Sequence, residues 1–329
     1  MKCKGCYTGS KQDYCLNCRK KLFNKRKVSS VLNFDAPKEE TLQAFQEFSK
    51  KISISGVQLK YSLRLNDDQL ELCDKGGEYI LKPIPVARQL NELDSAPENE
   101  HLTMQIAEQI FNISTAANGL IHFKDGQPAY ITKRFDVLHE GRKYLQEDFA
   151  QLLSRSRQTH GDTYKYEAHY EEIGNLIKRF VAASMPALER YFKLIVFNYI
   201  LSNGDAHIKN FSLIRNENGE YQLTPAYDLM STVLHTPSEA DTALSLYDGD
   251  MDSRFYQHYG FYGKPDFLVF AKRLGLVEKR AERILHEFVE SKKNSVIEMV
   301  NRSFLSDIVK QKFISNYLEK SSRFSMKLP

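Results

Sequence analysis

Alternation of apolar and polar positions predicts strands in the first part of the chain. From Val57 the apolar positions recur at every second residue as far as Leu65, which is the period of a half-buried strand. A second strand is predicted over 78–83, and a third over 128–136, where it runs into a connector. Together these segments predict a small β-rich unit.

Helical periodicity replaces this alternation farther along the chain. Pro97 and an acidic first turn open a segment with an apolar stripe, which predicts an amphipathic helix. A helix beginning at 185–186 has so broad an apolar face that we expect it to be buried. Closing helices are predicted over 267–274, 278–290 and 308–318, and the charged carboxyl end is expected to fray. The pattern predicts an α+β fold with a β-rich first lobe and a mostly helical second lobe.

Composition and charge bound the class of protein. The chain has 329 residues, enough for two lobes and a small appendage, and a formal net charge of +4. This mild charge does not indicate wholesale nucleic-acid binding, although an acidic or tRNA-associated target stays open. Because the sequence has no signal peptide and no apolar run of about 18 residues, we expect a cytoplasmic protein without a membrane span.

Two carboxylates and an amide have the spacing of a phosphotransferase active site. Asn210 follows Asp205 by five positions, and Asp228 comes after two short predicted strands over 211–214 and 221–223. In protein kinases the first Asp orients the substrate hydroxyl, while the Asn and the second Asp hold magnesium at the phosphates of ATP. Asn203-Gly204-Asp205 alone is more often a turn. The helix before it and the hairpin after it favour the kinase interpretation.

The predicted first lobe offers groups that could bind a nucleotide. Lys82 lies near the end of the second strand, where kinases place a lysine that contacts phosphates and pairs with a helix glutamate. Glu98 and Glu100 could reach it, although a solvated lysine and acids favoured by the helix dipole explain the same residues. Ser53, Ser55 and Gly56 could cradle phosphates with hydroxyl and backbone N–H groups, but no glycine-rich fingerprint is present.

Two C-x-x-C pairs open the chain. Cys3 and Cys6 are separated from Cys15 and Cys18 by eight residues, a spacing at which four thiolates can enclose one tetrahedral Zn²⁺. We favour structural zinc and expect its loss to destabilise only the N-terminus, with two disulfides or free thiols as alternatives. A basic run over 20–27 follows, which a solvated linker explains better than a nucleic-acid contact.

These segments resemble the HipA family of bacterial serine/threonine kinases, the toxins of type II toxin–antitoxin pairs. They recur in the family's order over roughly residues 50 to 300. The matching segments are Ser53-Ile54-Ser55-Gly56-Val57-Gln58, Tyr79-Ile80-Leu81-Lys82, Pro97-Glu98-Asn99-Glu100, Lys133-Arg134-Phe135-Asp136, Gln146-Glu147-Asp148-Phe149, Asp205-Ala206-His207-Ile208-Lys209-Asn210-Phe211-Ser212 and Tyr227-Asp228.

The resemblance implies a role for each candidate residue and a two-lobed, protein-kinase-like fold. The implied assignments are Asp205 as catalytic aspartate, Asn210 and Asp228 as magnesium ligands, Lys82 and His207 near the ATP phosphates, Lys133 to Phe135 as the adenine hinge, and Ser53 or Ser55 as an autophosphorylation site that silences the enzyme. The family's targets include aminoacyl-tRNA synthetases. A HipB-like antitoxin is an implied partner, through which alone the chain would meet DNA.

Two departures from the family pattern are visible. Fewer residues precede the serine loop than in full-length HipA kinases, which places the chain near the short HipT-like branch, where the missing subdomain is a separate small protein. Ala206 stands where the long kinases usually have Gly. This position belongs to the loop backbone and does not alter the carboxylate chemistry.

The sequence predicts three domains and one preferred function. A four-cysteine zinc knuckle with a basic linker is expected over 1–27, an ATP-binding lobe over 28–137 and a helical catalytic lobe over 138–329. A toxin-type protein kinase is the preferred function. A small-molecule kinase on the same scaffold and a non-enzymatic nucleotide-binding or DNA-tethered regulator are the alternatives.

Overall fold

Five antiparallel strands form the sheet of the first lobe in the computed structural model, which describes residues 1–37, 59–85, 90–138 and 142–328. The strands run in the order β2-β1-β3-β5-β4. Their bounds are β1 Tyr61–Asn66, β2 Gln69–Leu72, β3 Tyr79–Pro83, β4 Asn118–His122 and β5 Pro128–Lys133. The predicted second and third strands are thereby confirmed, and the first is confirmed from Tyr61 onward. Val57 lies outside the described residues.

The cysteine-rich start of the chain packs directly on this sheet. Its helix α1 (Leu16–Phe23) buries Leu22 and Phe23 in the same apolar cluster as the strands. Tyr14 donates its hydroxyl hydrogen bond to the carbonyl of Leu120 at 2.6 Å, and the Tyr79 hydroxyl donates to the carbonyl of Leu22 at 3.0 Å. Residues 1–23 are called the knuckle below.

The knuckle also touches the second lobe. The ring of Tyr7 lies 5.0 Å from that of His101 and 5.6 Å from that of Phe304, and Lys2 donates to the carbonyl of Ser303 at 3.1 Å. We expected loss of zinc to destabilise only the N-terminus. Because Tyr7 is buried and the knuckle contacts both lobes, the structure instead predicts a wider effect.

Helix α2 (Ala96–Gln109) crosses behind the sheet and is buried around almost its whole circumference. The apolar stripe predicted from the sequence accounts for only one side of it. His101 and Gln105, on another side, contact the Asn118 side-chain oxygen at 2.9 and 3.0 Å. The helix is covered by the sheet, the knuckle and the second lobe, so its polar residues find partners inside the protein.

The second lobe is mostly helical, with a small sheet at its edge. Its central helix is the one predicted to be buried, and the antiparallel sheet has the order β6-β7-β8. The elements are β6 Gln146–Asp148, α3 Phe149–Leu152, α4 Arg157–His160, α5 Tyr170–Phe180, α6 Ser184–Ile200, β7 Ser212–Arg215, β8 Tyr221–Leu223, α7 Arg254–Tyr259, α8 Lys264–Arg273, α9 Glu278–His286, α10 Lys293–Arg302 and α11 Asp307–Arg323.

Two details of the closing helices differ from the prediction. The helix predicted over 278–290 ends at His286 and continues as a π-helical turn over Glu287–Ser291, where the ring of Phe288 stacks on Phe111 at 4.0 Å. The last helix extends farther than predicted, because α11 runs to Arg323 and buries Lys320 against Asp241.

None of the helices in the described ranges combines the length and the apolar character that crossing a membrane requires.

Replacing Phe23 with Ala tests whether the knuckle is part of the first lobe. Phe23 has no exposed surface, so its truncation should lower the free energy of unfolding by about 3–5 kcal/mol in denaturant titrations. Leu16→Ala on the same helix is the matched control, because Leu16 is 73% exposed and should cost less than about 0.5 kcal/mol. Equal, small effects of the two changes would show that the knuckle is an independent appendage.

Candidate active site

A buried ammonium group links the two lobes. Lys82, on β3, places its Nζ 2.5 Å from Glu100 Oε1 and 2.5 Å from Asp228 Oδ1. Lys82 is 3% exposed and Glu100 is 1% exposed, which excludes the solvated-lysine alternative. Of the two candidate glutamates, Glu100 and not Glu98 is the partner.

Neighbouring charges keep Lys82 and Asp228 ionised. Burial acts to lower the pKa of Lys82, but Asp228 and Glu100 outweigh burial and raise that pKa above its usual value. Burial acts to raise the pKa of Asp228, but Lys60 and Lys82 hold it well below its usual range. An ammonium and a carboxylate therefore face each other at neutral pH.

Lys60 is a member of the site that the sequence analysis missed. It lies just before β1, with its Nζ 3.1 Å from Asp228 Oδ2, so each oxygen of that carboxylate meets one lysine. Nothing local in the sequence distinguishes it among 46 lysines and arginines. The contact joins residues 168 positions apart, which no short motif can indicate.

The backbone around Asp228 is fixed by both lobes. Asp228 itself has φ of +56°, in the left-handed region that non-glycine residues seldom adopt. The N–H of Ala226 donates to the carbonyl of Ser114 at 2.7 Å, and the N–H of Ala116 donates to the carbonyl of Ala226 at 2.9 Å. Surrounding structure of this kind is what maintains an unfavourable backbone conformation at a functional site.

Asn99 is a second residue that the sequence analysis missed. Its side chain donates to the carbonyl of Ser231 at 3.0 Å and accepts from the N–H of Ser231 at 3.2 Å. It also lies 2.9 Å from Nε2 of His235. The helix turn that carries Glu100 is thus tied twice to the segment around Asp228. The sequence feature that could have indicated Asn99 is its position, as an amide residue, within a helix that is expected to be largely buried.

The loop after α6 carries the other predicted residues. Asn203 donates its side-chain N–H to Asn198 Oδ1 at 3.0 Å, which fixes the start of the loop on the buried helix. The loop then makes a 3₁₀ turn over Ile208–Asn210 and enters β7. The Oδ1 atom of Asn210 is buried and has no hydrogen-bond partner within the described part of the chain. An orphaned oxygen in the same cavity as Asp228 suits a hard cation.

Asp205 lies at the tip of this loop beside two aromatic rings. Its Oδ1 accepts a hydrogen bond of 2.6 Å from the Tyr166 hydroxyl and lies 3.9 Å from Nε2 of His207. Burial lowers the pKa of His207 to about 4, although Asp205 acts in the opposite direction, so the imidazole is neutral at pH 7. Tyr166 is a third residue without a sequence signal.

These residues surround a cavity of about 960 Å³ between the lobes. Lys60, Lys82, Lys133, Phe135, His207, Asn210 and Asp228 line it, whereas Asp205 lines a smaller cavity next to it. Of the predicted site residues, Ser53, Ser55 and Gly56 lie outside the described residues. The structure thus brings most of the predicted set to one place.

The predicted adenine hinge has fewer free backbone donors than expected. The N–H of Lys133 donates to the carbonyl of Ala117 and that of Arg134 to the carbonyl of Glu78, both at 2.8 Å. Of the three expected residues, Phe135 is therefore the one whose backbone N–H is still a candidate for contacting adenine. Its ring lies 5.7 Å from that of Tyr227 and lines the cavity.

The four cysteines of the knuckle converge as predicted. Their sulfur atoms all lie within 4.8 Å of one another, and Cys6 Sγ is 3.7 Å from Cys15 Sγ. Tetrahedral zinc with thiolate ligands places sulfur atoms about 3.8 Å apart. The N–H groups of Gly5 and Cys15 point at Cys3 Sγ at 3.4 and 3.1 Å. The thiols are free, so the disulfide alternative does not apply, and the cluster could hold a metal ion.

Comparison with known proteins identifies the family. The model of the HipA-like C-terminal domain matches residues 52–296, which is most of the chain. The chain belongs to this family, and the sequence-based resemblance is confirmed.

Relatives by sequence carry kinase names. A Haemophilus influenzae protein named "Putative kinase" is 27% identical over 284 residues, covering 82% of this chain and 80% of the relative. A Sinorhizobium fredii protein named "Putative kinase Y4dM" is 30% identical over 234 residues, covering 64% of this chain and 53% of the relative. The match thus spans about half of the second protein.

Solved structures confirm the fold. HipA of Shewanella oneidensis, in a complex with HipB and operator DNA, matches with a TM-score of 0.64 and 21% identity, covering 89% of this chain and 72% of that one. The Helicobacter pylori proinflammatory kinase CtkA matches with a TM-score of 0.51 and 15% identity, covering 81% and 90%. The predicted α+β, kinase-like fold is therefore confirmed, and the chain is a relative of kinases.

Removing Lys82 should destabilise the protein, because two carboxylates would lose their buried partner. We expect Lys82→Met to lower the free energy of unfolding by about 3–5 kcal/mol. Adding Glu100→Met should recover at least half of that loss, since the second change removes the unpaired buried charge. Denaturant unfolding of the two single variants and the double variant measures this coupling.

Lys60→Met is the matched control for this cycle. It removes the 3.1 Å contact but leaves Lys82 on Asp228, so it should cost about 1 kcal/mol or less. Strictly additive effects of Lys82→Met and Glu100→Met would contradict the assignment of their contact as a buried, coupled ion pair.

Proposed function

We propose that this chain is an ATP- and magnesium-dependent protein serine/threonine kinase of the HipA toxin type. The observation that carries the proposal is the convergence of Lys82, Asn210 and Asp228 on one cavity between two lobes, with Asp205 beside it. The kinase names of relatives support the general activity. Residue roles, the substrate and the cofactors are part of the proposal.

Asn210 and Asp228 are the proposed magnesium ligands. An orphaned amide oxygen and a carboxylate held ionised are the hard oxygen donors that Mg²⁺ prefers. When bound, the ion would supply positive charge against the ATP phosphates. Lys82 and Lys60 are proposed to contact the phosphates, since both ammonium groups line the cavity beside Asp228.

Asp205 is proposed to orient the acceptor hydroxyl and to receive its proton. The acceptor oxygen forms a bond to the γ-phosphorus while the bond from that phosphorus to the ADP oxygen breaks. The hydrogen bond of Tyr166 to Asp205 supports this role, because it illustrates that a hydroxyl group can reach the carboxylate at 2.6 Å. His207, neutral and buried next to Asp205, is proposed to shape the phosphate side of the loop.

The proposed regulation and partners are those of HipA-type toxins. Ser53 or Ser55 would be autophosphorylated, and a translation-related protein such as an aminoacyl-tRNA synthetase would be the target. A HipB-like antitoxin is the proposed partner, supported by the complex in which the Shewanella HipA was solved. A separate small subdomain protein is a further proposed partner, and the location is proposed to be cytoplasmic.

Zinc is proposed to fill the four-cysteine cluster in a purely structural role. Elemental analysis should find about one zinc per chain. Cys3→Ser with Cys6→Ser should abolish metal binding and lower the melting temperature of the main transition, because the knuckle packs against both lobes. Cys73→Ser, at a buried cysteine outside the cluster, is the control and should retain the metal. A metal-free wild-type protein would remove the zinc assignment.

Mass spectrometry after incubation with ATP and Mg²⁺ tests the kinase proposal. The wild-type chain should gain phosphate on Ser53 or Ser55, and Asp205→Ala should gain none while it still binds ATP. Asp252→Asn, at an exposed acid on the same lobe, is the matched control and should behave as the wild type. Phosphate on Asp205→Ala would overturn the role of Asp205. Nucleotide binding without any transfer or ADP release would favour a regulatory binding module instead.

A further inference from the structure

A second cavity, of about 280 Å³, adjoins the nucleotide cavity at Asp205. Tyr166 lines both cavities and therefore stands between them. Asp205 and Gly204 line one side of the smaller cavity, and residues from Thr232 to Ala243 line an adjoining side. This second side belongs to the segment that follows Asp228 along the chain. The smaller cavity is thus built on the residue that is proposed to orient the acceptor.

Glu239 is held firmly against the catalytic loop. A Cβ atom at Gly204 would lie 2.6 Å from Glu239 Cδ and 2.7 Å from the carbonyl of Ala240, so only glycine permits this approach. The N–H of Gly204 donates to Thr232 Oγ1 at 2.8 Å, and that hydroxyl lies 2.5 Å from Glu239 Oε1. A chain of hydrogen bonds therefore connects the Glu239 carboxyl group to the residue next to Asp205.

The wall that carries Glu239 is anchored at its other end. Asp241, two residues later, forms ion pairs with Lys320 and Arg323 of helix α11. Lys320 is buried and its side chain lies over the ring of Tyr199 in the central helix. The loop on one side and the last helix on the other thus fix the position of Glu239. Its carboxyl group is therefore in place before a ligand binds.

The charged side chains that line this cavity within the described part of the chain are both acidic. Among the described residues that line it, the acids are Asp205 and Glu239, and no lysine or arginine is present. His235 also lines it, but burial lowers the pKa of its imidazole, so it adds no positive charge at neutral pH. Most of the remaining lining is apolar, including Leu90, Leu93 and Met230.

Burial and the neighbouring Asp205 both oppose the ionisation of Glu239. Burial raises the pKa of Glu239 to about 7, and the charge of Asp205 acts in the same direction, against the hydrogen bond from Thr232. A cation that entered the cavity would relieve the repulsion between the carboxylates. An aliphatic stem would meanwhile cover the apolar walls, and lysine and arginine combine these two properties.

We propose that this cavity binds the acceptor segment of a polypeptide, with a serine or threonine hydroxyl at Asp205 and a nearby lysine or arginine side chain at Glu239. This inference rests on the proposed kinase function and adds to it a preference for a basic residue near the acceptor hydroxyl. The Tyr166 hydroxyl occupies the place at Asp205 that the acceptor hydroxyl would take, so Tyr166 moves aside when substrate binds. Glu239 is a specificity-determining residue in this arrangement.

Phosphorylation of a positional peptide library by the full chain tests the inference. Each peptide has one Ser or Thr, and each flanking position is varied through Lys, Arg, Gln and Glu. The wild type should phosphorylate peptides with Lys or Arg at one flanking position about tenfold faster than those with Gln, and Glu239→Gln should reduce that ratio at least about fivefold. Glu298→Gln, at an exposed position of α10, is the matched control and should keep the ratio.

A second variant covers the case in which Glu239→Gln does not fold. Ala240→Lys introduces a cation at an exposed lining position, so it should disfavour basic peptides and favour those with Glu. Affinity for ATP with Mg²⁺ reports on folding for every variant, because Glu239 and Ala240 do not line the nucleotide cavity.

The outcomes separate this inference from the function on which it rests. A preference for basic residues that persists unchanged in folded Glu239→Gln overturns the role of Glu239. Autophosphorylation without transfer to any peptide of the library overturns the proposed binding of a basic acceptor segment and leaves the kinase proposal intact. Failure to transfer phosphate to any acceptor, with no ADP release, removes the kinase proposal itself.

Discussion

The buried ammonium of Lys82 is the constraint on which the arrangement of the site depends. A charge out of contact with water is tolerated only when opposite charges and hydrogen-bond acceptors surround it. Lys82 finds them in Glu100, on the helix behind the sheet, and Asp228, in the second lobe. Three segments that are far apart in sequence must therefore meet at one atom, and a shift of any of them would leave a charge unpaired.

This constraint also explains why helix α2 is buried on nearly every side. One side of the helix must face the sheet to bring Glu100 to Lys82, and Asn99 must face the segment around Ser231. The knuckle covers a further side, where Tyr7 meets His101. The apolar stripe in the sequence marks only the apolar residues of this buried helix. The other buried positions carry polar residues, which need polar partners. Packing of the knuckle thus supports the helix that carries the glutamate.

The sequence predicted those parts of the site whose geometry is local. Asp205, Asn210 and Asp228 could be placed together because a loop, a turn and a hairpin connect them over a short stretch of chain. The four cysteines were placed for the same reason.

The missed contacts join distant positions. Lys60 meets Asp228 across 168 positions, and Asn99 meets Ser231 across 132. Sequence spacing alone does not distinguish Glu98 from Glu100 as the partner of Lys82. The rotation of the helix in the folded protein selects Glu100. The carboxyl end was expected to fray because its charges were visible while Asp241, the partner of Lys320, was not.

In the proposed kinase, substrate binding must change the charge balance among four side chains of the site. Lys60 and Lys82 together balance Glu100 and Asp228, so these four side chains are by themselves close to electrical neutrality. In the proposed kinase the ATP phosphates would attract both lysines, and Asp228 would be one of the residues that hold the metal. Glu100 would keep Lys82 in place when ATP binds, because it approaches the ammonium from the helix side, away from the cavity lining. In the proposed kinase the glutamate would therefore be a positioning residue, because its contact holds the Lys82 ammonium in the site.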